Sequence, residues 1–303
     1  MAEITAKMVK ELREQTGAGM MDVKAALVEA NGDMEEARTI LRKKGLASAS
    51  KKAGRVTAEG MVTALVEGNT GVLVEVNCET DFVARTEGFR NFASEVAQVI
   101  LRSKANTVEE LNNDKWPDSG ETVAQKTQEM IGSIKENITI RRFTRYEAAA
   151  QGAIATYIHA GGKIGVMAEL VGSDEQHGKD VAKEVAMHIA ASDPRFLRRE
   201  DVTEKDLENE REIARDQARQ SGKPENIIEK MVTGKMEKFY GEACLLEQPY
   251  IKGDKQSVAQ YLAAAGKEKG CKYVVTRFVR YKLGEGIEKK GDDFAAEVAA
   301  AAR

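Results

Sequence analysis

Apolar residues alternate along one short stretch of the chain and then change their spacing. Val72, Val74 and Val76 occupy every second position, which is the period of a strand with one buried face. Further along, the large apolar residues recur at three- and four-residue intervals, as Phe89, Phe92, Val96 and Ile100. That spacing is the period of an amphipathic helix. The pattern therefore predicts a half-buried strand and a helix that begins near Thr86, joined by a polar step.

Helical spacing also runs through the first 45 residues, where glycines and a turn interrupt it. Gly17-Ala-Gly19 breaks it once, Asn31-Gly32 forms a turn, and Asp33 can cap a third helix that Gly45 ends. Three short helices of this kind resemble the ubiquitin-associated type of domain, a unit too small to have much interior and usually used for docking. We therefore predict a docking domain at residues 1–45. Residues 46–58 are small and polar, and they predict a linker.

Four segments of the chain recur in the same order further along the sequence. Residues 72–76 match 166–170, 93–97 match 182–186, 122–125 match 257–260, and 142–146 match 277–281. Each copy reads as a hairpin, a helix, a second helix and a long strand. The fold class predicted is α+β. Its core has two copies, at residues 59–150 and 151–283, each a small three-stranded antiparallel sheet with helices on one face.

The second copy is longer than the first between its two helices. The extra residues fall at about 199–248 and have helical spacing on both sides of the turn Ser221-Gly-Lys-Pro224. They predict an inserted antiparallel helical hairpin. Beyond the second copy, residues 284–303 predict a C-terminal helical module in which Phe294 and Val298 are the only strong apolar anchors.

Composition limits the classes of partner. The 303 residues include 46 basic and 49 acidic side chains, a formal net charge of −3. Binding to nucleic acid without sequence specificity depends on a clustered basic excess, so we expect no nucleic-acid partner. Three well-separated cysteines indicate a reducing compartment. No apolar run has the length of a membrane span and no leader precedes the first helix, so we expect a cytoplasmic protein with no membrane contact.

The sequence has no recognisable motif for catalysis or metal binding. The Gly-Lys pairs lack the rest of a phosphate-binding loop, and the sequence has no Cys-x-x-Cys, His-Glu-x-x-His or Gly-x-Ser-x-Gly. The three histidines are not spaced as metal ligands. We therefore expect no metal, no cofactor and no enzymatic activity.

Two other function classes stay open on the residues alone. Cys78, with His159 and Asp81, has the residue types of a nucleophilic triad, although a small buried residue at a strand end is the alternative interpretation. The Arg-, Phe- and Tyr-rich segments 141–146 and 277–281 are compatible with base stacking in an RNA- or ribosome-binding module. A strand with one buried face explains those segments equally well.

Phe82 lies in the short connection between the predicted strand and the following helix. An aromatic side chain exposed on a rigid corner can act as a wedge against a partner surface. The alternative is that Phe82 packs beneath its own corner, as most phenylalanines are buried.

Several of these segments together resemble the elongation factor Ts family. The strand-to-helix segment Glu75-Val-Asn-Cys-Glu-Thr-Asp-Phe-Val-Ala-Arg85 is similar to the family signature. A second similarity lies in Leu12-Arg-Glu-Gln-Thr-Gly-Ala-Gly-Met-Met-Asp-Val-Lys-Ala-Ala-Leu27, and a third in Gly284-Glu-Gly-Ile-Glu-Lys with Asp293-Phe-Ala-Ala-Glu-Val-Ala-Ala. The resemblance thus runs from one end of the chain to the other.

The resemblance implies an exchange factor that binds elongation factor Tu in its GDP form and promotes GDP release. It implies that Thr80, Asp81, Phe82 and Val83 press near the bound Mg²⁺. His159 matches a family histidine that disturbs the phosphate loop, and the double glycine after it leaves its reach open. The family's N-terminal contacts fall on Arg13, Met20 and Met21. The factor itself is expected to bind no nucleotide, and dimerisation of the chain or of its complex stays open.

Overall fold

The computed structural model describes residues 4–117, 119–172, 175–220, 222–253 and 256–288. Its helices are α1 Ala6–Thr16, α2 Met20–Glu29, α3 Met34–Lys52, α4 Asp81–Ala84, α5 Glu87–Arg102, α6 Val108–Leu111, α7 Val123–Ile134, α8 Glu175–Ser192, α9 Glu204–Arg219, α10 Glu225–Ala243 and α11 Val258–Lys269. Its strands are β1 Glu59–Glu67, β2 Thr70–Cys78, β3 Ile138–Glu147, β4 Gly152–His159, β5 Ile164–Val171 and β6 Val274–Lys282.

The strands form two separate antiparallel sheets of three strands each, ordered β1-β2-β3 and β4-β5-β6. In both sheets the pairing between the central strand and the last strand shifts register, after Glu75 in one and after Glu169 in the other. The helices α7 and α11 each begin with a capping box, made by Thr122 with Gln125 and by Ser257 with Gln260. The α+β class is therefore confirmed, and the two halves share their order of elements.

Each sheet carries a helix on one face and packs against the other sheet with its opposite face. Helix α5 contacts β1 and β2, and α8 contacts β4 and β5. Between the sheets lies a second apolar layer, formed around Val62, Leu73, Ile154, Met167 and Tyr281. Because of this layer β2 is buried on both faces, so the prediction of a half-buried strand is wrong.

Two buried glutamates join the sheets in a reciprocal way. Glu75 on β2 accepts hydrogen bonds from the Gly284 amide at 2.8 Å and from Arg142 Nε at 2.6 Å. Glu169 on β5 accepts from the Ala149 amide at 2.8 Å and from Arg277 Nε at 2.8 Å. Each carboxylate thus binds the backbone just after the last strand of the other half, and we call this pair the glutamate clamps.

The N-terminal helices pack on the first half of the core. Asp33 caps α3 as predicted, accepting from the Glu35 and Glu36 amides at 2.9 Å. The prediction that Gly45 ends this helix is wrong, because α3 continues to Lys52 and the first seven residues of the predicted linker are helical. Gly45 instead lies within α3 where this helix packs on α7, and Gly132 on α7 allows the close approach, since a Cβ at Gly132 would lie 2.9 Å from Gly45 Cα.

Helices α9 and α10 pack against each other through a small apolar cluster of their own, Ala214, Ala218, Ile228, Val232 and Met236. They run antiparallel, because Arg215 near the end of α9 pairs with Glu229 near the start of α10. At the base, Arg199 pairs with Glu237 and Glu247.

The predicted C-terminal helix, with Phe294 and Val298, lies outside the described residues. Within the described residues, no helix combines the length and the apolar character that a membrane span requires.

Candidate partner-binding site

The connection after β2 is a short, strongly anchored corner, defined here as residues 79–86. Thr80 caps α4 by accepting from the Val83 amide at 3.3 Å. Glu136 holds the corner from outside, accepting from the Glu79 and Thr80 amides at 3.1 and 3.0 Å and from the Thr80 hydroxyl at 2.6 Å. Three hydrogen bonds to one carboxylate fix the backbone from which α4 begins.

Phe82 projects from this corner into solvent. Its side chain is 79% exposed, whereas Val83 and Ala84 on the same short helix pack against the core. The interpretation that Phe82 packs beneath its own corner is therefore wrong. Asp81 is held beside it by Arg85, with 2.7 Å between Asp81 Oδ2 and the guanidinium. The corner thus presents an aromatic ring and a carboxylate on one turn.

Cys78 does not have the environment of a nucleophile. The side chain is fully buried and its Sγ lies 3.1 Å from the Thr80 carbonyl oxygen. Burial, with the nearby Glu136 carboxylate, raises the pKa of the thiol to about 12. A reactive cysteine needs an accessible thiolate, so the triad interpretation is wrong and the buried one holds.

His159 is the last residue of β4, and its side chain is exposed. Its Nδ1 lies 3.1 Å from the Tyr157 hydroxyl, which orients the ring. The chain then turns through Ala160, Gly161 and Gly162, all with positive φ, and returns as β5. This turn rests on the first half of the core, where the Val62 amide donates to the Gly162 carbonyl at 2.7 Å.

The N-terminal residues Arg13, Met20 and Met21 line one groove between α1 and α2, with a volume of 890 Å³. The Met20 and Met21 side chains are 58% and 76% exposed. Unbranched thioether side chains adapt to irregular partner surfaces, so exposed methionines suit a docking role.

A two-residue link joins the groove to the corner, and no pattern in the sequence indicates it. Lys135 pairs with Asp22, next to Met21, at 2.9 Å. The following residue, Glu136, holds Thr80. Because Lys135 and Glu136 follow α7 directly, one end of that helix connects the two candidate contact regions. A lone Lys-Glu pair carries no signal that reasoning from the sequence could have used.

In the two strands considered for base stacking, Arg142 and Arg277 bind other groups of the protein. Arg142 and Arg277 bind the clamp glutamates and stack on Tyr281 and Tyr146, at 4.2 and 4.1 Å from the ring centroids. These two guanidinium groups are thus already bound to carboxylates and tyrosine rings of the protein itself, although both are partly exposed. Among the described residues, no group of three or more metal-ligating side chains lies together.

Comparison with known proteins decides the family. The family model described as "Elongation factor TS" matches residues 79–285 of the chain, beginning at the corner. The chain belongs to the elongation factor Ts family. The resemblance seen in the sequence is thereby confirmed.

Curated relatives match over nearly the whole length. The elongation factor Ts of Trichlorobacter lovleyi is 52% identical over 99% of this chain and 98% of its own, and that of Syntrophotalea carbinolica is 50% identical over 98% of both chains. The Clostridium perfringens protein is 52% identical, again over 98% of both chains.

Proposed function

We propose that this chain binds elongation factor Tu in its GDP form and promotes GDP release by disturbing the Mg²⁺ and phosphate site, after which GTP can load. The partner follows from membership of the elongation factor Ts family, whose members are nucleotide exchange factors for that GTPase. In this proposal the chain works by protein–protein contact in the cytoplasm, binds no nucleotide or nucleic acid itself and catalyses no chemical step.

The observation that carries the proposal is the 79% exposed Phe82 on an anchored corner. Large aromatic side chains gain most when they enter a partner's pocket, and they lose little entropy if their backbone is already fixed. Thr80 and Glu136 provide that fixing. Such a corner can push on a partner without first having to order itself.

The proposed mechanism acts through the metal. Mg²⁺ is the largest local charge holding the nucleotide phosphates, so displacing its surroundings weakens GDP binding. Phe82 and Asp81 act from the corner, with Thr80 and Val83 as its support, and His159 acts on the phosphate-loop side. The groove lined by Arg13, Met20 and Met21 adds affinity for the GTPase surface.

Exchange then follows from negative coupling between GDP and the factor, which are the two ligands of the GTPase. If the factor lowers the affinity of the GTPase for GDP, GDP must lower the affinity for the factor by the same ratio. The factor therefore leaves when a new nucleotide binds. It selects no particular nucleotide, and an excess of GTP over GDP supplies the direction.

The proposal also assigns roles to whole segments. The three N-terminal helices act as a ubiquitin-associated-like docking domain, and the two copies at residues 59–150 and 151–283 carry Phe82 and His159. The hairpin at about 199–248 and the segment 284–303 supply further surfaces. Self-association through the hairpin stays an untested prediction.

Replacement of Phe82 by alanine tests the proposed mechanism. Because the ring is exposed, Phe82→Ala should leave the free energy of unfolding within about 0.5 kcal/mol of wild type. Stimulated release of labelled GDP from elongation factor Tu should slow by at least about tenfold, which corresponds to about 1.4 kcal/mol. The matched control is Ile213→Ala, which removes another exposed apolar side chain, 52% exposed, on the hairpin.

A well-folded Phe82→Ala protein with full exchange activity would contradict the wedge. A loss of several kcal/mol in stability would instead mean that the ring is packed in solution. No stimulation of GDP release by the wild-type chain would reject the exchange function itself.

A further inference from the structure

The turn that follows His159 lies directly on the edge strand of the other half. Strand β1 pairs with β2 on one side only, so its other edge is open to a further hydrogen-bond partner. At that edge the Val62 amide donates to the Gly162 carbonyl at 2.7 Å. The β4–β5 turn is thus joined to the first half of the core by a backbone hydrogen bond.

Gly162 is the residue that permits this contact. It has a φ of 98°, and a Cβ there would lie 2.9 Å from Met61 Cβ and 3.2 Å from the Val62 carbonyl oxygen. Neither of those atoms is the flexible end of a side chain, so a larger residue must displace the turn. Gly161 also has a positive φ, of 67°, but no atom lies within 4 Å of its Cβ position. The two neighbouring glycines therefore differ in contact, although both have backbones that favour glycine.

The same end of β1 supports the corner that carries Phe82. Glu59 pairs with Cys78, so β1 begins opposite the point where the corner leaves β2. Helix α4 contacts β1, and Met61 and Val83 pack on the same apolar cluster. One short stretch of strand, residues 59–62, thus lies under both the His159 turn and the Phe82 corner.

We infer that Gly162 is a positioning residue for nucleotide exchange: by seating the β4–β5 turn on β1, it holds His159 in a fixed relation to Phe82. The two side chains then reach the partner's nucleotide site as one rigid surface, although they belong to different halves of the core. This inference rests on the proposed exchange function. It explains why the turn needs glycine at position 162 for contact as well as for conformation.

The test compares four full-length proteins in the release of labelled GDP from elongation factor Tu. They are Gly162→Ala, Gly161→Ala, His159→Ala and the double variant Gly162→Ala/His159→Ala. Gly162→Ala should slow stimulated release by at least about fivefold, the low end of coupling between linked sites. Gly161→Ala should slow it less, because it has the conformational penalty without the contact.

The double variant separates positioning from a general loss of stability. If Gly162 acts through His159, its substitution should cause little further loss once His159 is alanine. A loss in the double variant equal to the two single losses combined would overturn the inference. So would a wild-type rate of GDP release with either a folded Gly162→Ala protein or the His159→Ala protein. Stimulation by the wild-type chain, measured in the same assay, reports separately on the proposed function.

Amide hydrogen exchange on the wild-type protein tests the same contact without any substitution. The Val62 amide should exchange at least about fivefold more slowly than the Ala64 amide, which follows it on the same strand edge, since only the former donates to Gly162. Equal exchange of the two amides would show that the turn is not seated on β1, and would overturn the inference even if Gly162→Ala failed to fold.

Discussion

The two halves of the core have the same strands and clamps but differ in what is added to them. In the first half, an anchored corner between β2 and α5 exposes Phe82. In the second half the corresponding connection is short, since β5 ends at Val171 and α8 begins at Glu175. The long addition in that half is the α9–α10 hairpin. The shared elements bury their charges in pairs, while the additions place apolar side chains in solvent.

This difference separates support from contact. The glutamate clamps and the layer between the sheets involve both halves equally, so they set how the halves are oriented. The additions can then change without disturbing that orientation. We therefore expect substitutions in shared elements to act on stability, and substitutions in the additions to act on the partner.

The largest effect should come from breaking the clamps. Burial alone would raise the pKa of Glu75, but hydrogen bonds from Gly284, Arg141 and Arg142 outweigh it and hold the pKa below the ordinary value. Removing one partner of a buried ion pair costs about 3–5 kcal/mol, so Glu75→Ala should lower the free energy of unfolding by that amount. Denaturant unfolding measures it.

Glu169→Ala is the matched test in the other half. Its partner Arg277 is 43% exposed and can be hydrated when the carboxylate is gone. We expect a loss of about 2–3 kcal/mol, as for hydrogen bonds to a charged group. If either substitution left stability unchanged, the reciprocal clamp would not be a determinant of the fold.

A smaller effect should appear in the pH dependence of stability. It should arise in the second half of the core, because all three histidines lie there. His188 is fully buried; its Nε2 lies 2.9 Å from Gln248 Oε1 and its Nδ1 accepts from the Ile251 amide at 3.3 Å. Burial lowers the pKa of His188, and the bond to Gln248 offsets this only in part. The unfolded chain therefore binds the proton more readily than the folded chain does.

The sign of the pH effect follows from that difference. Above about pH 6.5 the residue is neutral in both states, and below it stability should fall by up to about 1.4 kcal/mol per pH unit until the folded form also protonates. Unfolding measured between about pH 5 and 8 should show this slope, and His188→Gln should remove it. An unchanged slope in that variant would assign the acid sensitivity to another group.

The sequence predicted the helices and strands well, but it predicted poorly what packs against them. Periodicity located the β2 strand and the α5 helix, since local spacing determines which face of an element is apolar. It could not show that the second face of β2 is covered, because the covering layer comes from β4 and β5, far along the chain. Gly45 was misread for the same reason: α3 continues through it and packs on α7, a distant helix whose Gly132 allows the close approach.

The candidate site was likewise predictable only in part. Phe82 and His159 could be singled out because each lies at a strand end in a segment that resembles a family motif. Glu136 and Gly162 could not, because their roles depend on backbone groups of distant segments, the corner and β1. Support of this kind has no local sequence pattern.

The hairpin tests whether an addition can be removed. Its apolar cluster is separate from those of the sheets, so replacing residues 207–236 by a short Gly/Ser turn should change the free energy of unfolding by less than about 1 kcal/mol. The design keeps Asp206 and Glu237, which pair with Arg195 and Arg199 at the base. Circular dichroism melting and the GDP-release assay measure the outcome. Cooperative loss of the whole fold would show that the hairpin belongs to the core.

The smallest effect on stability should come from the corner's own charge. The Asp81–Arg85 pair is exposed, and such pairs contribute about 0–1 kcal/mol, so Asp81→Asn should scarcely change melting. Arg85→Ala is its matched control, because it breaks the same pair but keeps the carboxylate. If the carboxylate acts on the partner, only Asp81→Asn should slow GDP release; if it serves to hold the corner, both variants should slow release alike. Full activity in both would leave Phe82 as the acting group of the corner, and the contact made by the corner would reduce to one aromatic ring.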